Sequence, residues 1–437
     1  MLGWLSDIGA AMLGWLSDIG ATTSTAVRAR IGKSNRAIKR SLQRVGLLPA
    51  VVTALAAGLL IAYAAYQIVY RYTPTSDAKA APIDITKVSL TIVAGVGGVV
   101  ALVIAYRRQR DAEQGRFVER FGAAAAQLGS IDVAVRIAGV YAMAGAADET
   151  DGRRRQQCID VLCGYLRLPY DPELGANHQS KLVVKRRRTV RDRSQVGAEQ
   201  EQHLEYRQND REVRATIVRV IADHLRSWAE YSWSARDFDF RTAHLEDPDF
   251  SNTTFSGTTQ FGNTTFSGTT QFGYARFSGD AGFGAATFSG TTQFGHVTFS
   301  GDARFDSATF SGTTQFGYAR FSDGAGFGAA TFSGTARFWA ATFSGYAQFE
   351  GARFSDTTRF DGATFSGDAR FGGTTFSGPC VFVNADFGTK SISFADPKQW
   401  GPPAPVFDWA QDVTLKPPNV EPHDWPPTAA TPPTPAA

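Results

Sequence analysis

Cysteine, methionine and histidine are scarce in this 437-residue chain, which holds 3 Cys, 3 Met and 6 His. Three cysteines cannot build a disulfide framework, and so few histidines leave little material for a metal cage. The usual catalytic signatures are missing as well: there is no HExxH, no P-loop and no GxSxG. His178, His203, His224, His244, His296 and His423 are scattered among loops, surfaces and the tail. These absences point away from an enzyme, and no cofactor, metal or small-molecule substrate is expected.

What is present is uneven. The formal net charge is +3, but it divides into +6 for residues 1–106, +5 for 107–236 and −8 for 237–437. The first region begins with MLGWLSDIGAA followed at once by MLGWLSDIGAT. That repeat reads as an amphipathic interfacial helix, or as a duplication in which Met12 is an equally good start. Two uncharged runs follow, Leu47–Tyr70 and Val88–Tyr106. At ~1.5 Å per residue each is long enough to cross a hydrocarbon core of about 30 Å. The expected layout is a basic N-terminal segment at 1–45, a transmembrane helix at 46–71, an extracytoplasmic loop at 72–87 and a second transmembrane helix at 88–106. Arg28, Arg30, Lys33, Arg36, Lys39, Arg40 and Arg44 precede the first run, and Arg107, Arg108 and Arg110 follow the second. The positive-inside rule then predicts a two-pass membrane protein with both termini cytoplasmic.

Residues 107–236 read as a helical cytoplasmic domain. Phe117, Phe121, Ala124, Ala125 and Leu128 recur at helical spacing, and Val133, Ile137, Val140, Tyr141 and Ala144 repeat the pattern after Gly129-Ser130. A third helix carries Cys158 to Leu166 and stops before Pro169; a fourth carries Val213 to Trp228, with Asp210 as its N-cap. Between them the polar stretch 171–209 reads as a solvated, mobile loop. Its Lys185, Arg186, Arg187 and Arg188 are candidate contacts for anionic lipid, and the lack of interleaved aromatics speaks against nucleic acid.

The strongest signal lies downstream. From Phe250 to Phe387 phenylalanine recurs at intervals that alternate between five and six residues without exception. The ladder includes Phe255, Phe261, Phe266, Phe272, Phe277, Phe283, Phe288, Phe294, Phe299, Phe305, Phe310 and Phe316, with Ala or Thr two positions before nearly every Phe. One large and one small inward side chain per short face is the pattern of a narrow solenoid, with polar residues at the corners. TTQFGYARFSGDAGFGAATFSGT at 269–291 returns almost unchanged at 313–335. Such a copy keeps register if the offset between the two holds two whole coils, each made of four faces whose lengths alternate between five and six. Adding Phe240 and Leu245 gives about seven coils and, at ~4.8 Å per strand, a rod about 34 Å long. Its ends need protection. Trp228, Tyr231 and Trp233 are candidates for the first cap, Phe394, Trp400 and Phe407 for the second, and the Pro-rich stretch from Val420 is expected to be a disordered tail.

Segments such as ATFSG at 286–290, 308–312, 330–334 and 363–367 resemble the pentapeptide-repeat proteins. The resemblance covers 238–394 and implies a right-handed quadrilateral β-helix, so the domains are set at 237–394 for the array and 395–437 for a capping segment and tail. FVERFGAAAAQLGS, VRIAGVYAMAGAA, CIDVLCGYLRLPY and REVRATIVRVIADHLR are similar to the helical segment before the repeats in membrane-associated actinobacterial members. Arg outnumbers Lys by 35 to 9, as in a GC-rich genome. The fold class expected is thus multi-domain: two transmembrane helices, a small helical domain and a β-solenoid. The expected function is a membrane-anchored, non-catalytic scaffold that docks an unidentified cytoplasmic protein. Some members of the family mimic DNA and protect gyrase, which is the alternative, as is a plain structural spacer. Mimicry needs a dense negative surface, yet residues 250–387 hold nine acids against seven arginines.

Overall fold

The computed structural model describes Tyr63 and residues 82–175, 181–187, 199–205 and 209–429. The chain divides into two units, Met1–Gly115 and Arg116–Ala437. The N-terminal repeat, Met12, the segment 1–45 and the first apolar run, apart from Tyr63, lie outside the described residues.

The described part of the first unit is helical. Helix α1 spans Pro82–Leu128, 47 residues, and its residues from Arg116 onward belong to the second unit. Among the described residues no helix is long and apolar enough to cross a membrane. This overturns the two-span fold class and the multi-pass membrane location. Residues 82–87, read as the end of a loop, are helical, residues 72–81 lie outside the described residues, and the run at 88–106 is not bounded as a separate span. It is part of one helix that starts at Pro82 and continues through Arg107, Arg108, Arg110, Asp111 and Glu113. An uncharged run fixes only a length of apolar sequence.

In the second unit, helices α2 (Val133–Asp148), α3 (Arg153–Leu166) and α4 (Asp210–Leu225) pack together with the end of α1. Asp132 caps α2 by accepting from Ala134 N at 2.8 Å. The stripes Val140, Met143, Ala144 and Ala147 of α2, Cys158, Ile159 and Leu162 of α3, and Val213, Ile217, Ile221 and Leu225 of α4 are buried. Helix α4 begins at Asp210 rather than after it. Asn209 occupies the cap position at φ 53° without a side-chain capping bond, and Trp228 lies beyond the last turn. The stretch read as a mobile loop contains an antiparallel hairpin, β1 (Lys181–Arg187) with β2 (Glu199–Glu205).

From Phe238 the chain winds into a β-solenoid of about seven turns built of strands two or three residues long. Four parallel sheets result. Face 1 runs in nine strands from Phe238–Asp239 to Val420–Glu421, and face 2 in eight from His244–Glu246 to Gln399–Trp400. Face 3 runs in six from Thr270–Gln271 to Cys380–Val381, and face 4 in six from Thr254–Phe255 to Thr364–Phe365. Thr287-Phe288 lies opposite Thr309-Phe310, and Ala281-Gly282 opposite Ala303-Arg304, so one coil carries the chain from Thr287 to Thr309 and the two internal copies are offset by two coils. Phe255 through Phe316 are at most 1% exposed. Their rings stack coil on coil, with Phe266 over Phe288 at 4.4 Å and 3° and Phe294 over Phe316 at 4.7 Å and 2°. Rings from different faces meet edge-on, as in Phe294 against Phe305 at 5.4 Å and 82°. Both geometries suit the aromatic quadrupole, and the stacking distance matches the strand spacing.

The alternation of five and six has a backbone cause. In the five-residue units the residue two after Phe sits at positive φ: Asn252, Asn263, Tyr274, Ala285, His296, Ser307, Tyr318, Ala329, Ala340, Gly351, Gly362, Gly373 and Asn384. The residue after that bonds back to the Phe carbonyl, as Ala275 N does to Phe272 O at 3.0 Å. This is a type II turn, which requires φ > 0 at its third residue. In the six-residue units the corner is commonly Ser-Gly, and there close approach decides. A Cβ on Gly290 would lie 2.1 Å from Gly268 O, and one on Gly312 2.5 Å from Gly290 O. Glycine at the bends is therefore mostly a matter of room rather than of positive φ.

Candidate functional site

Both ends of the solenoid are closed. At the first end α3 and α4 rest on the strands at 238 and 244. Arg136 of α2, fully buried, donates to Asp210 at 2.6 Å and to the Tyr165 hydroxyl at 3.1 Å, and Tyr165 donates to the same carboxylate oxygen at 2.5 Å. One turn along α4, Arg214 covers the Tyr170 ring at 4.4 Å and donates to the Leu166 and His244 carbonyls. Tyr170 donates to Glu246 in the array, which also pairs with Arg211 at 3.2 Å. Burial, and then the hydrogen bond to a carboxylate, holds the phenols of Tyr165 and Tyr170 above their ordinary value. Trp233 is buried and stacks on His224 at 4.0 Å, and both reach Asp148. Trp228 and Tyr231 are exposed, so of the three aromatics proposed for this cap only Trp233 is interior.

At the far end Phe394, Phe407, Trp409 and Val420 are buried, with Trp400 and Trp425 packed against them. Val420–Glu421 adds the last strand of face 1, pairing with Ile392–Ser393. Residues 420–429 are thus part of the described cap rather than tail, because Trp425 finds Phe407 at 5.0 Å edge-on. Residues 430–437 lie outside the described residues.

The described thiols are enclosed. Cys158 and Cys163 are buried, and burial pushes their thiols up to about 11 and about 12; Cys380 is buried and raised for the same reason. A thiol in that environment is inert. Among the described residues no group of three or more His, Cys, Asp or Glu is placed to hold a metal ion. In the basic run, the register sets Lys181, Lys185 and Arg187 opposite Glu205, Glu201 and Glu199, and Arg186 opposite Gln200. Arg188 lies outside the described residues. A register that pairs residues of opposite charge favours the hairpin, a signal carried by the pairing of KLVVKRR with EQEQHLE and invisible in either segment alone.

The faces of the solenoid present flat, repeating surfaces. Face 2 sets Thr265, Thr287, Thr309 and Thr331 in register, and face 3 does the same with Gln271, Gln293 and Gln315. Several charges are neutralised on the rod itself: Arg304 with Asp302 at 2.7 Å, Arg359 with Asp361 at 2.8 Å and Arg370 with Glu350 at 3.6 Å. Periodicity in the sequence exposed the inward ladder, whereas these outward columns emerge only once the coil closes.

A comparison with curated proteins found no match, and a comparison with solved structures found none. A comparison with family models matched Pentapeptide repeats (9 copies) at residues 240–287, 285–331, 316–364, 338–386 and 360–396. With its Phe-lined coils and overlapping matches, the solenoid is an array of pentapeptide repeats.

Proposed function

We propose that the protein is a non-catalytic scaffold whose pentapeptide-repeat solenoid serves protein-protein interaction. The observation that carries this reading is the division of labour within each coil. The phenylalanines of the repeat are spent on the interior ladder, and the outside consists of flat, ordered columns of Thr, Ser, Gln and Arg. Such a surface offers area and pattern rather than a concave pocket for a small molecule. The salt bridges on the array speak against DNA mimicry, since they cancel the charge that would imitate a duplex.

The test is crosslinking of the tagged full-length chain in its native cells, compared with a chain whose Gln293, Gln315, Thr287 and Thr309 are replaced by Glu. A discrete protein captured by the first and lost by the second supports docking. Equal recovery of the same set from both overturns it, and leaves the rod a spacer.

A further inference from the structure

Between Phe238 and Phe394 the exposed large hydrophobic side chains are Tyr274 at 55%, Tyr318 at 44% and Trp339 at 37%. All three lie along one edge, where face 3 turns into face 4. His296 completes the column, stacked on Tyr274 at 4.6 Å and on Tyr318 at 4.8 Å, and Trp339 meets Tyr318 edge-on at 4.4 Å. The same edge carries Arg276 and Arg320, the first residues of their face 4 strands, and Arg337 on face 3. These three guanidiniums are exposed and enter no ion pair among the described residues, unlike Arg304, Arg359 and Arg370. The opposite border of face 4, where it turns into face 1, is acidic: Asp280, Asp302 and Asp323 occupy it in three successive coils, Tyr346 interrupts the series and Asp368 resumes it, with Asp302 already paired to Arg304. Between the borders face 4 is a smooth strip rich in Thr and Ser.

We propose that face 4 is a self-recognition surface, on which a second copy of this chain docks with the two solenoids side by side and parallel. The proposal rests on the interaction reading and names its partner. A two-fold axis parallel to the rods turns face 4 of one copy onto face 4 of the other. The basic edge of each then meets the acidic edge of its partner at the same height. Arg276 comes level with the second copy's Asp280, and Arg320 with its Asp323, because each pair belongs to one coil. An antiparallel arrangement would set basic edge on basic edge. The matched pairs stand two coils apart in both copies, since Thr298 separates Arg276 from Arg320 on face 4, so both fall into register together. Exposed Tyr, Trp and Arg on one edge are the composition of a protein-protein contact. Single-stranded nucleic acid fits less well, since the ring faces it would stack on are covered by one another. The strip is narrow, so the pairing is reversible and concentration-dependent.

Sedimentation velocity on the full-length chain tests this, with two double variants, Arg276→Glu/Arg320→Glu and Asp280→Arg/Asp323→Arg. Each variant alone sets like charges against each other and is expected to sediment as a smaller species than the wild type. Mixed in equal amounts, they place Glu against Arg on one border and the native Asp against Arg on the other, and are expected to restore the larger species. Thermal melts identify the variants that are folded, with a small downward shift expected for the aspartate variant because Asp280 accepts from Asp302 N at 3.2 Å. If both variants sediment like the wild type, or their mixture stays at the smaller species, the proposal is overturned. It is equally overturned if the wild type is a monomer at every concentration while the arginine variant alone loses binding to a labelled oligothymidylate. Such outcomes leave the docking reading to the crosslinking comparison.

Discussion

The cap and the array reach order by opposite means. The helical cap joins unlike parts through a few irreplaceable polar contacts: one buried Arg136, one Asp210, one Trp233. The array uses one contact many times, Phe on Phe at 4.4 Å in one pair and 4.9 Å in another. Stability in the first is concentrated, and in the second it is a sum over neighbours. A repeated interior tolerates variety outside it, because no single coil is essential to the others' geometry. A keyed interface does not, because removing one partner strands the rest.

The sharpest break comes inside the ladder. Phe316→Asp buries an unpaired carboxylate among rings on every side, at a cost upward of about 5 kcal/mol. Limited proteolysis is expected to cut the array near that coil, and an unchanged far-ultraviolet dichroism spectrum with no new cleavage would refute the packing described. Asp210→Ala is next. It leaves the Arg136 guanidinium buried without its carboxylate and is expected to cost about 3–5 kcal/mol, read as a lower melting temperature for the cap while the array transition holds. If both transitions fall together, cap and array are one cooperative unit.

Two corner substitutions separate room from φ. Gly290→Ala places a methyl against the Gly268 carbonyl and is expected to destabilise by about 1–3 kcal/mol. Ala285→Gly, at φ 54°, relieves strain and is expected to stabilise by up to about 1 kcal/mol. Chemical denaturation of the two variants would show opposite signs. The smallest effect is a pH dependence. The phenols of Tyr165 and Tyr170 are raised in the folded chain, so their contribution is complete below the unfolded value of about 10 and is lost as pH rises above it. The cap is therefore expected to loosen before the array in alkaline buffer, with Tyr165→Phe reducing the difference.

Legibility followed the same division. Phenylalanine at 250, 255, 261 and onward announces its own coil, and the internal copy at 313–335 agrees with its length, because periodic burial leaves a periodic sequence. The recurring left-handed turn was hidden, since Asn252, Tyr274, Ala285 and His296 share a conformation and no chemistry. Asp210 looked like a helix cap because carboxylates at helix starts usually are; its partner Arg136 stands 74 residues away. Trp425 sat in a Pro-rich stretch whose composition argues for disorder, and only its ring contacts reveal a cap. The apolar run at 88–106 gave a length without a context, and the helix it belongs to does not end where a span would. The polar outer faces were legible as composition, but not which residues neighbour one another on them, because neighbours along face 4, such as Arg320 and Thr342, stand a whole coil apart in the chain.

The hydrogen bonds between coils, such as Phe294 N to Gln315 O at 2.7 Å, run along the axis of the solenoid. Tension applied between its ends therefore loads them in series, one rung after another, like a ladder pulled lengthwise. The array is expected to surrender a whole turn at a time, each releasing roughly 70 Å of extended chain. In a single-molecule pulling experiment that is a sawtooth of even teeth, preceded by one taller peak where the tryptophans at the far end let go. The rod would act as a graded mechanical fuse, stiff under small loads and lengthening by fixed increments under larger ones.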